Sequence, residues 1–440
     1  MKYDKFFQLA KEAGIEDAEL FIGQSYNLSF SLFHSEVDNY STSNGFSIIA
    51  RGLFNGKFGV ASCDSWSNAK AEYLVNEIVT NAKLSENDDP VFIFAGSPKY
   101  KKINIFNKDL EKVSIDDKMN ALFKLEKLVK EGDPRISEVE GVEYEESKST
   151  TTLMNSKGLK LTQKSNYFVI YGAALAKENE VAKSNFELFF DNDFSKLNVD
   201  DLGKKIVKGA VEQLGGEACQ TGTYKVVFDP QAFRYLLNFY VSQADAEEVQ
   251  KKSSLFIGKL NQKVASKKVT IMDMPLAKSL FARPFDDEGV ATSNRAVIKN
   301  GVLQTYFYNL TTAAKDGVET TGNAQRSGST ISAGPFYLVL KPGKKSQEQL
   351  FEDVKDGVYI TDLSGLHSGL NPQSGNFSLV AGGFLIKNGK KDRPLDMITV
   401  SGNLQTLFND IVDIGNDVRV FPSAISCSSV VVKKLAITGK

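Results

Sequence analysis

The chain has 440 residues, 42% apolar and 24% charged, so it can bury sizeable cores, and the disordered and collagen-like classes are excluded. At roughly 100–200 residues per domain this length predicts two or three domains. Acids and bases nearly cancel to a formal net charge of -1, and the basic runs are single pairs such as Lys251-Lys252 and Lys433-Lys434, so electrostatics gives nucleic acid no footing.

No apolar run reaches the ~18–20 residues of a membrane span, and Met1-Lys2-Tyr3-Asp4-Lys5 does not open a secretory leader. Cys63, Cys219 and Cys427 are odd in number and far apart, which fits reduced thiols and a cytoplasmic location.

In chain order, Phe6, Leu9, Ala10 and Ala13 before Gly14 predict a short opening helix. The alternation of Leu28, Phe30 and Leu32 with polar residues predicts strand from Glu19 to Tyr40, which includes His34. Phe46–Val60 reads as a hairpin around Asn55-Gly56. Ser67 caps an amphipathic helix carrying Ala71, Leu74, Val75, Ile78 and Ala82, and Ser114 caps a second that runs to Gly132-Asp133-Pro134. Strands are predicted at Val139–Tyr144, Ser149–Asn155, Leu159–Ala176 and Ser184–Phe190, with a helix at Val199–Gln213. The polar stretch between Gly215-Gly216 and Gly222 marks a domain boundary near residue 218.

Beyond it, a strand at Tyr224–Phe228 leads into a helix started by Asp229-Pro230, with Phe233, Leu236, Leu237, Tyr240, Val241 and Ala244 on one face. Hairpin signals at Asn300-Gly301 and Asn388-Gly389 and β-rich segments at Tyr337–Leu340, Phe377–Ile386, Ile398–Ser401 and Val430–Val432 follow, broken by a helix capped by Ser346. The predicted class is α+β: a mixed α/β N-terminal domain over 1–217, divisible into 1–95 and 96–217, then a β-rich domain over 218–440 of mostly antiparallel strands.

Chemistry-bearing patterns are sparse. His34 and His367, the latter in a Gly/Ser-rich loop, lack a second ligand at metal-binding spacing, so surface or hydrogen-bonding roles are expected. No Gly-x-Ser-x-Gly elbow, phosphate loop or dinucleotide fingerprint occurs, and a Ser–His or Cys–His pair assembled in space stays open. Asp286-Asp287-Glu288 before Gly289 is the densest carboxylate group of the second half. It reads as a polar turn or as a lip that orients a peptide backbone or a partner arginine.

Several short motifs occur in one order along essentially the whole chain. They are Ser35-Glu36-Val37-Asp38-Asn39, Gly45 leading to Gly56 and Gly59, Val227-Phe228-Asp229-Pro230, Lys252-Ser253-Ser254, Pro284-Phe285-Asp286-Asp287-Glu288-Gly289, Asn300-Gly301-Val302-Leu303-Gln304, Thr321-Gly322-Asn323, Gly415-Asn416-Asp417 and Leu435-Ala436-Ile437-Thr438-Gly439. In this order they resemble the TldD/PmbA family. The resemblance implies TldD-type zinc metalloproteases with a His-Glu-x-x-x-His motif on the first helix of the C-terminal domain and a later cysteine ligand, paired with PmbA-type (TldE) subunits that lack the histidines. Counted back from Lys252-Ser253-Ser254, Leu237 and Ser242 stand at the histidine positions and Asn238 at the glutamate, while Cys427 lies at the cysteine offset from Gly415-Asn416-Asp417.

Leucine cannot bind zinc, serine is a poor ligand at neutral pH, and an amide cannot act as general base. The resemblance therefore implies a PmbA-like subunit with no metal or cofactor of its own, zinc being confined to a TldD-type partner. It would form a homodimer or a heterodimer with a TldD-like subunit and bind extended peptides, without nucleic acid or membrane. Its peptide-binding or cleft candidates are Asp286, Asp287, Glu288, Gly322 and Asn323, in the domain that carries the helix near 230–248. Two rivals are a peptidase or hydrolase built on Cys427 and a spatial neighbour, and a regulatory protein-binding factor in keeping with the family's older description as a modulator of DNA gyrase.

Overall fold

The computed structural model describes residues 3–440, so the Met1-Lys2 end of the stretch read for a leader lies outside the described residues. Long alternating runs form β1 (Asp17–Phe33), β2 (Glu36–Phe54), β3 (Lys57–Cys63), β4 (Ile136–Asn155), β5 (Lys160–Glu178) and β6 (Val181–Asp191). They pair antiparallel in the order β3-β2-β1-β4-β5-β6. Because side chains alternate along a strand, Leu20, Ile22, Leu28, Phe30 and Leu32 of β1 share one face, and all five are buried.

Four helices cover that face: α1 (Asp4–Glu12), α2 (Asn68–Leu84), α3 (Ile115–Glu131) and α4 (Val199–Val211). Leu74, Val75 and Ile78 of α2 pack with Leu20 and Ile22. Leu122 and Leu125 of α3 and Ile206 of α4 pack with Leu28, Phe30 and Leu32. Ser67 and Ser114 cap α2 and α3 by accepting from the Lys70 and Asp117 amides, as the sequence predicts.

Two strand predictions are corrected. His34 and Ser35 adopt φ of 53° and 62° and reverse the chain between β1 and β2, so His34 lies in a turn and not in a strand. The segments read as Val139–Tyr144 and Ser149–Asn155 are one strand, β4, whose polar middle pairs Ser147 with Tyr167 and Lys148 with Asn166.

The second half forms β7 (Gly222–Phe228), α5 (Pro230–Ser242), α6 (Ala246–Gln250), β8 (Ile271–Asp273), β9 (Arg295–Lys299), β10 (Val302–Leu303), α7 (Leu310–Asp316), β11 (Ala324–Ser327), β12 (Thr330–Ala333) and β13 (Leu338–Leu340). It continues through α8 (Gln347–Val354), β14 (Gly357–Ser364), α9 (Leu366–Gly369), β15 (Asn376–Lys387), β16 (Lys390–Asn403), α10 (Leu404–Asn409), β17 (Ile411–Ile414), β18 (Arg419–Phe421), β19 (Ile425–Cys427) and β20 (Val430–Thr438). One sheet runs β16-β15-β14-β7-β20-β17, and β16 also pairs with β20, so five strands close on themselves and lose their edges. A second sheet runs β10-β9-β8-β13-β19-β18. Apart from the parallel pairs β7–β14 and β13–β19, these ladders are antiparallel. His367, predicted in a loop, sits in the single turn of α9.

Helix α5 is sewn into this core. Phe233, Leu236 and Tyr240 are fully buried in one cluster with Phe228, Val358, Ile271 and Leu338. The Tyr240 ring stacks on Phe408 at 3.9 Å, and its hydroxyl donates to the Val264 carbonyl at 2.5 Å. No helix among the described residues is long and apolar enough to cross a membrane.

In the N-terminal core, Phe30 is fully buried and stacks on Tyr144 at 5.0 Å. Phe30→Ala is expected to cost about 3–5 kcal/mol through lost burial and the cavity left behind. Urea unfolding checks this, as a lowered midpoint with an unchanged slope.

Candidate functional site

The face of the N-terminal sheet opposite the helices meets the second domain. Gln163 of β5 donates to the Ala282 carbonyl at 2.6 Å, and Tyr100 donates to the Gly289 carbonyl at 2.7 Å. Gly289 has φ +87°, and a Cβ there would stand 2.8 Å from Leu153 and 2.7 Å from Leu159. The turn that ends the acidic cluster is thus pressed against the sheet.

The three acids form a polar turn, and at 0%, 5% and 3% exposed that turn is buried. Asp286 accepts from the backbone amides of Glu288, Val290 and Ala324. Burial and then Glu288 push its pKa up to about 8, and those amides pull it back. Asp287 pairs with Arg283 and accepts from the Arg326 amide at 2.8 Å. Glu288 accepts from the Leu310 amide at 2.8 Å and faces Arg51 at 3.7 Å. Glu19 Oε1 of β1 receives Arg51 of β2 at 3.0 Å and Arg326 of β11 at 2.7 Å.

Gly322 and Asn323 belong to the same interior. Gly322 has φ +66° with a neighbouring carbonyl where a Cβ would go, and Asn323 is 1% exposed and donates to Asp273 at 2.7 Å. All five cleft candidates are engaged by the chain's own groups at the joint between domains or just behind it.

The open groove lies elsewhere. A cleft of about 940 Å³ runs between β6 and β18, with Asp229 and Pro230 at the start of α5 on its floor. Glu187, Asp229 and Arg419 also line a second cleft of about 540 Å³ that reaches Gln347 and Tyr359. Leu280 and Phe281 are shared with a third, of about 530 Å³, against Ser149 and Gln163. Both walls of the main cleft are terminal strands of their sheets, β6 in one and β18 in the other. An ion pair between Glu187 and Arg419 links them.

The floor is a polar network. Asp229 caps α5 through the Gln231 amide at 2.8 Å and accepts from the Tyr359 hydroxyl at 2.5 Å. Burial raises the Asp229 pKa, and the Tyr359 donor pulls it back. Gln347 donates to Tyr359 at 2.9 Å and to Ser429 at 3.1 Å, and Ser429 donates to Asp417 at 2.5 Å. Sequence reading found Asp229 and Asp417 only inside motifs and missed Glu187, Arg419, Tyr359 and Gln347. These come from β6, β18 and the consecutive elements α8 and β14, with no common period.

The positions that the resemblance assigns to zinc do not come together. Leu237 is fully buried in the apolar core, whereas Asn238 and Ser242 are exposed. Cys427 is fully buried and directs its thiol to the Pro230 carbonyl at 3.4 Å, seven residues before Leu237 and so about 10 Å along the axis. Burial drives the Cys427 thiol far above its ordinary pKa, which disfavours the thiolate that a nucleophile would need. Among the described residues no group of three or more His, Cys, Asp or Glu could hold a metal ion. The donor set does not fit zinc.

Two outcomes follow. Arg326→Ala leaves Glu19 with Arg51 as its one buried cationic partner, an incomplete cluster in the interior, and is expected to cost about 3 kcal/mol in chemical unfolding. In the native protein a thiol-alkylating reagent should label half-buried Cys63 first and reach Cys427 only after denaturation, as read by mass spectrometry of peptides.

Known proteins share this architecture. Models of the PmbA/TldA metallopeptidase family match as domain 1 over residues 18–82, as the central domain over 108–214 and as the C-terminal domain over 221–439. A metalloprotease PmbA homolog of Buchnera aphidicola is 28% identical over 96% of this chain and 93% of its own length. The crystal structure of a Thermotoga maritima protein described as a candidate modulator of a DNA gyrase is 31% identical, with a TM-score of 0.92 and 99% of each chain covered. TldE from Thermococcus kodakarensis, 24% identical with a TM-score of 0.92 over the full length of both chains, shares the fold. The three matched spans take in most of the sequence, and the chain belongs to the PmbA/TldD family of metalloproteases.

Proposed function

We propose that this chain is the non-catalytic, peptide-holding subunit of a protease-type assembly, paired with a second copy or with a TldD-like zinc protease. The observation that carries the reading is helix α5. It sets a fully buried leucine where the resemblance puts a zinc-binding histidine, with an amide and a hydroxyl at the other two positions. Zinc and the water it activates then belong to the partner.

The groove supports the peptide-holding half of the reading. An extended peptide adds to a sheet edge through backbone hydrogen bonds, and here two edges, β6 and β18, face one cleft. Arg419, Lys205 and Lys278 on its walls offer donors for carbonyls and carboxylates, while Glu187 and Asp229 offer acceptors. The name TldE carried by the Thermococcus kodakarensis neighbour agrees with the subunit type. Three unpaired cysteines support placing this work in the reducing cytoplasm.

The test uses the purified full chain, zinc and a labelled unstructured peptide. No cleavage sensitive to a chelator is expected, while fluorescence anisotropy reports peptide binding that Arg419→Glu weakens. Robust chelator-sensitive cleavage by the chain alone would overturn the non-catalytic reading, and binding indifferent to Arg419→Glu would overturn the groove.

A further inference from the structure

The N-terminal sheet ends, on the side away from the groove, in a strand that is only partly covered. β3 pairs with β2 over Ile48–Phe54. Glu36–Gly45 of β2 therefore has β1 on one side and, among the described residues, no strand on the other. All ten of these residues are exposed. In a ladder of this kind every second residue turns its backbone N–H and C=O outward, which makes a template for another strand.

Proteins usually blunt such an edge with lysine, proline or charge. From Glu36 to Ala50 this chain has no lysine, arginine or proline, and from Asn39 to Ala50 it has no charged residue. The side chains point the same way. A row of rings crosses the sheet on its helix-covered face: Tyr40, Phe30, Tyr144, Phe168 and Phe189, at successive spacings of 6.2, 5.0, 5.8 and 5.9 Å. The row is buried in its middle and stops at Tyr40, which is 51% exposed, with Val37 at 45% nearby.

We propose that Glu36–Gly45 is a self-pairing edge, to which the same segment of a second copy of this chain adds antiparallel, joining two six-stranded sheets into one. A two-fold contact must be complementary to itself. With the axis at Ser41, Glu36 and Asp38 of each copy fall opposite Phe46 and Asn44, which are uncharged and lie before the residues that β3 covers, so no like charges meet. The segment spans about 34 Å at ~3.4 Å per residue. It also continues the aromatic row, because the partner strand covers Tyr40.

A substrate peptide is the poorer occupant. β2 lies four strands from β6, about 19 Å at ~4.8 Å per strand, on the edge that faces away from the groove. The inference rests on the reading that the chain works as a pair, and it assigns the surface that makes the pair.

Light scattering of the full-length chain over a dilution series should give the mass of two chains at the concentrated end. Ser41→Lys combined with Ser43→Lys, both at exposed positions, should halve that mass while circular dichroism and thermal unfolding stay unchanged. Hydrogen exchange of the unmodified protein provides a reading that depends on no variant: amides within 36–45 should be protected in the dimer and lose protection on dilution. A wild-type chain monomeric throughout, a dimer whose 36–45 amides exchange freely, a folded double-lysine variant that stays dimeric, or pairing seen only with a TldD-like chain would overturn the proposal. Loss of groove peptide binding in an intact dimer would count against the proposed function and leave this surface standing.

Discussion

The arrangement of the whole molecule depends on one carboxylate oxygen. Glu19 Oε1, fully buried on β1, takes a hydrogen bond from Arg51 of its own sheet and another from Arg326 of the second domain. Arg326 in turn holds Asp287 through its amide and lies over the Phe21 ring at 4.8 Å. Burying three charges this way gains little over an apolar joint, but it heavily penalises any arrangement that separates them. The cluster is not saturated, since Glu19 Oε2 and the Nε and Nη1 of Arg326 have no hydrogen-bond partner among the described residues. Its contribution is therefore to direction more than to depth of stability. It fixes how the sheet sits on the second domain, and so how far β6 stands from β18.

This joint also shows where the sequence stops being legible. Asp286-Asp287-Glu288 is conspicuous as charge, yet a string of letters does not say that Arg51 and Arg326 arrive from remote segments and bury it. Glu19 left a fainter sign, as a charge beside the apolar Ala18 and Leu20 at the start of β1. Regular elements were more readable. Alternation found the strands, and serine caps found the starts of α2, α3 and α8. It failed at His34-Ser35 because no glycine, proline or asparagine marks that reversal, and at β4 because one face of that strand tolerates polar residues. The short helices α7 and α10 hold too few turns to show a period, although the Asn309–Thr312 capping box marks the start of α7.

Helix α5 separates two properties that a family motif merges. Its packing is intact, with Phe233, Leu236, Leu237, Tyr240 and Val241 all buried. The groups that the resemblance expects there are replaced: Leu237 points into the core, while Asn238 and Ser242 face solvent. Cys427 was the one residue left as a possible remnant. Its thiol serves the first turn of the same helix through Pro230, a structural task at the opposite end from Ser242.

The N-terminal sheet then divides its surfaces by neighbour. One face is closed by four helices and the other is partly covered by the acidic turn and its arginines, which leaves the two edges as its outer limits. Edges recognise backbone, which every peptide carries, and not particular side chains. A groove walled by β6 and β18 is accordingly suited to a range of extended sequences, with Arg419, Glu187 and Asp229 setting polarity more than identity. On the proposed function, selectivity would fall to whatever chain supplies the metal, because this one would contribute a shape for the main chain and a joint that keeps the shape constant.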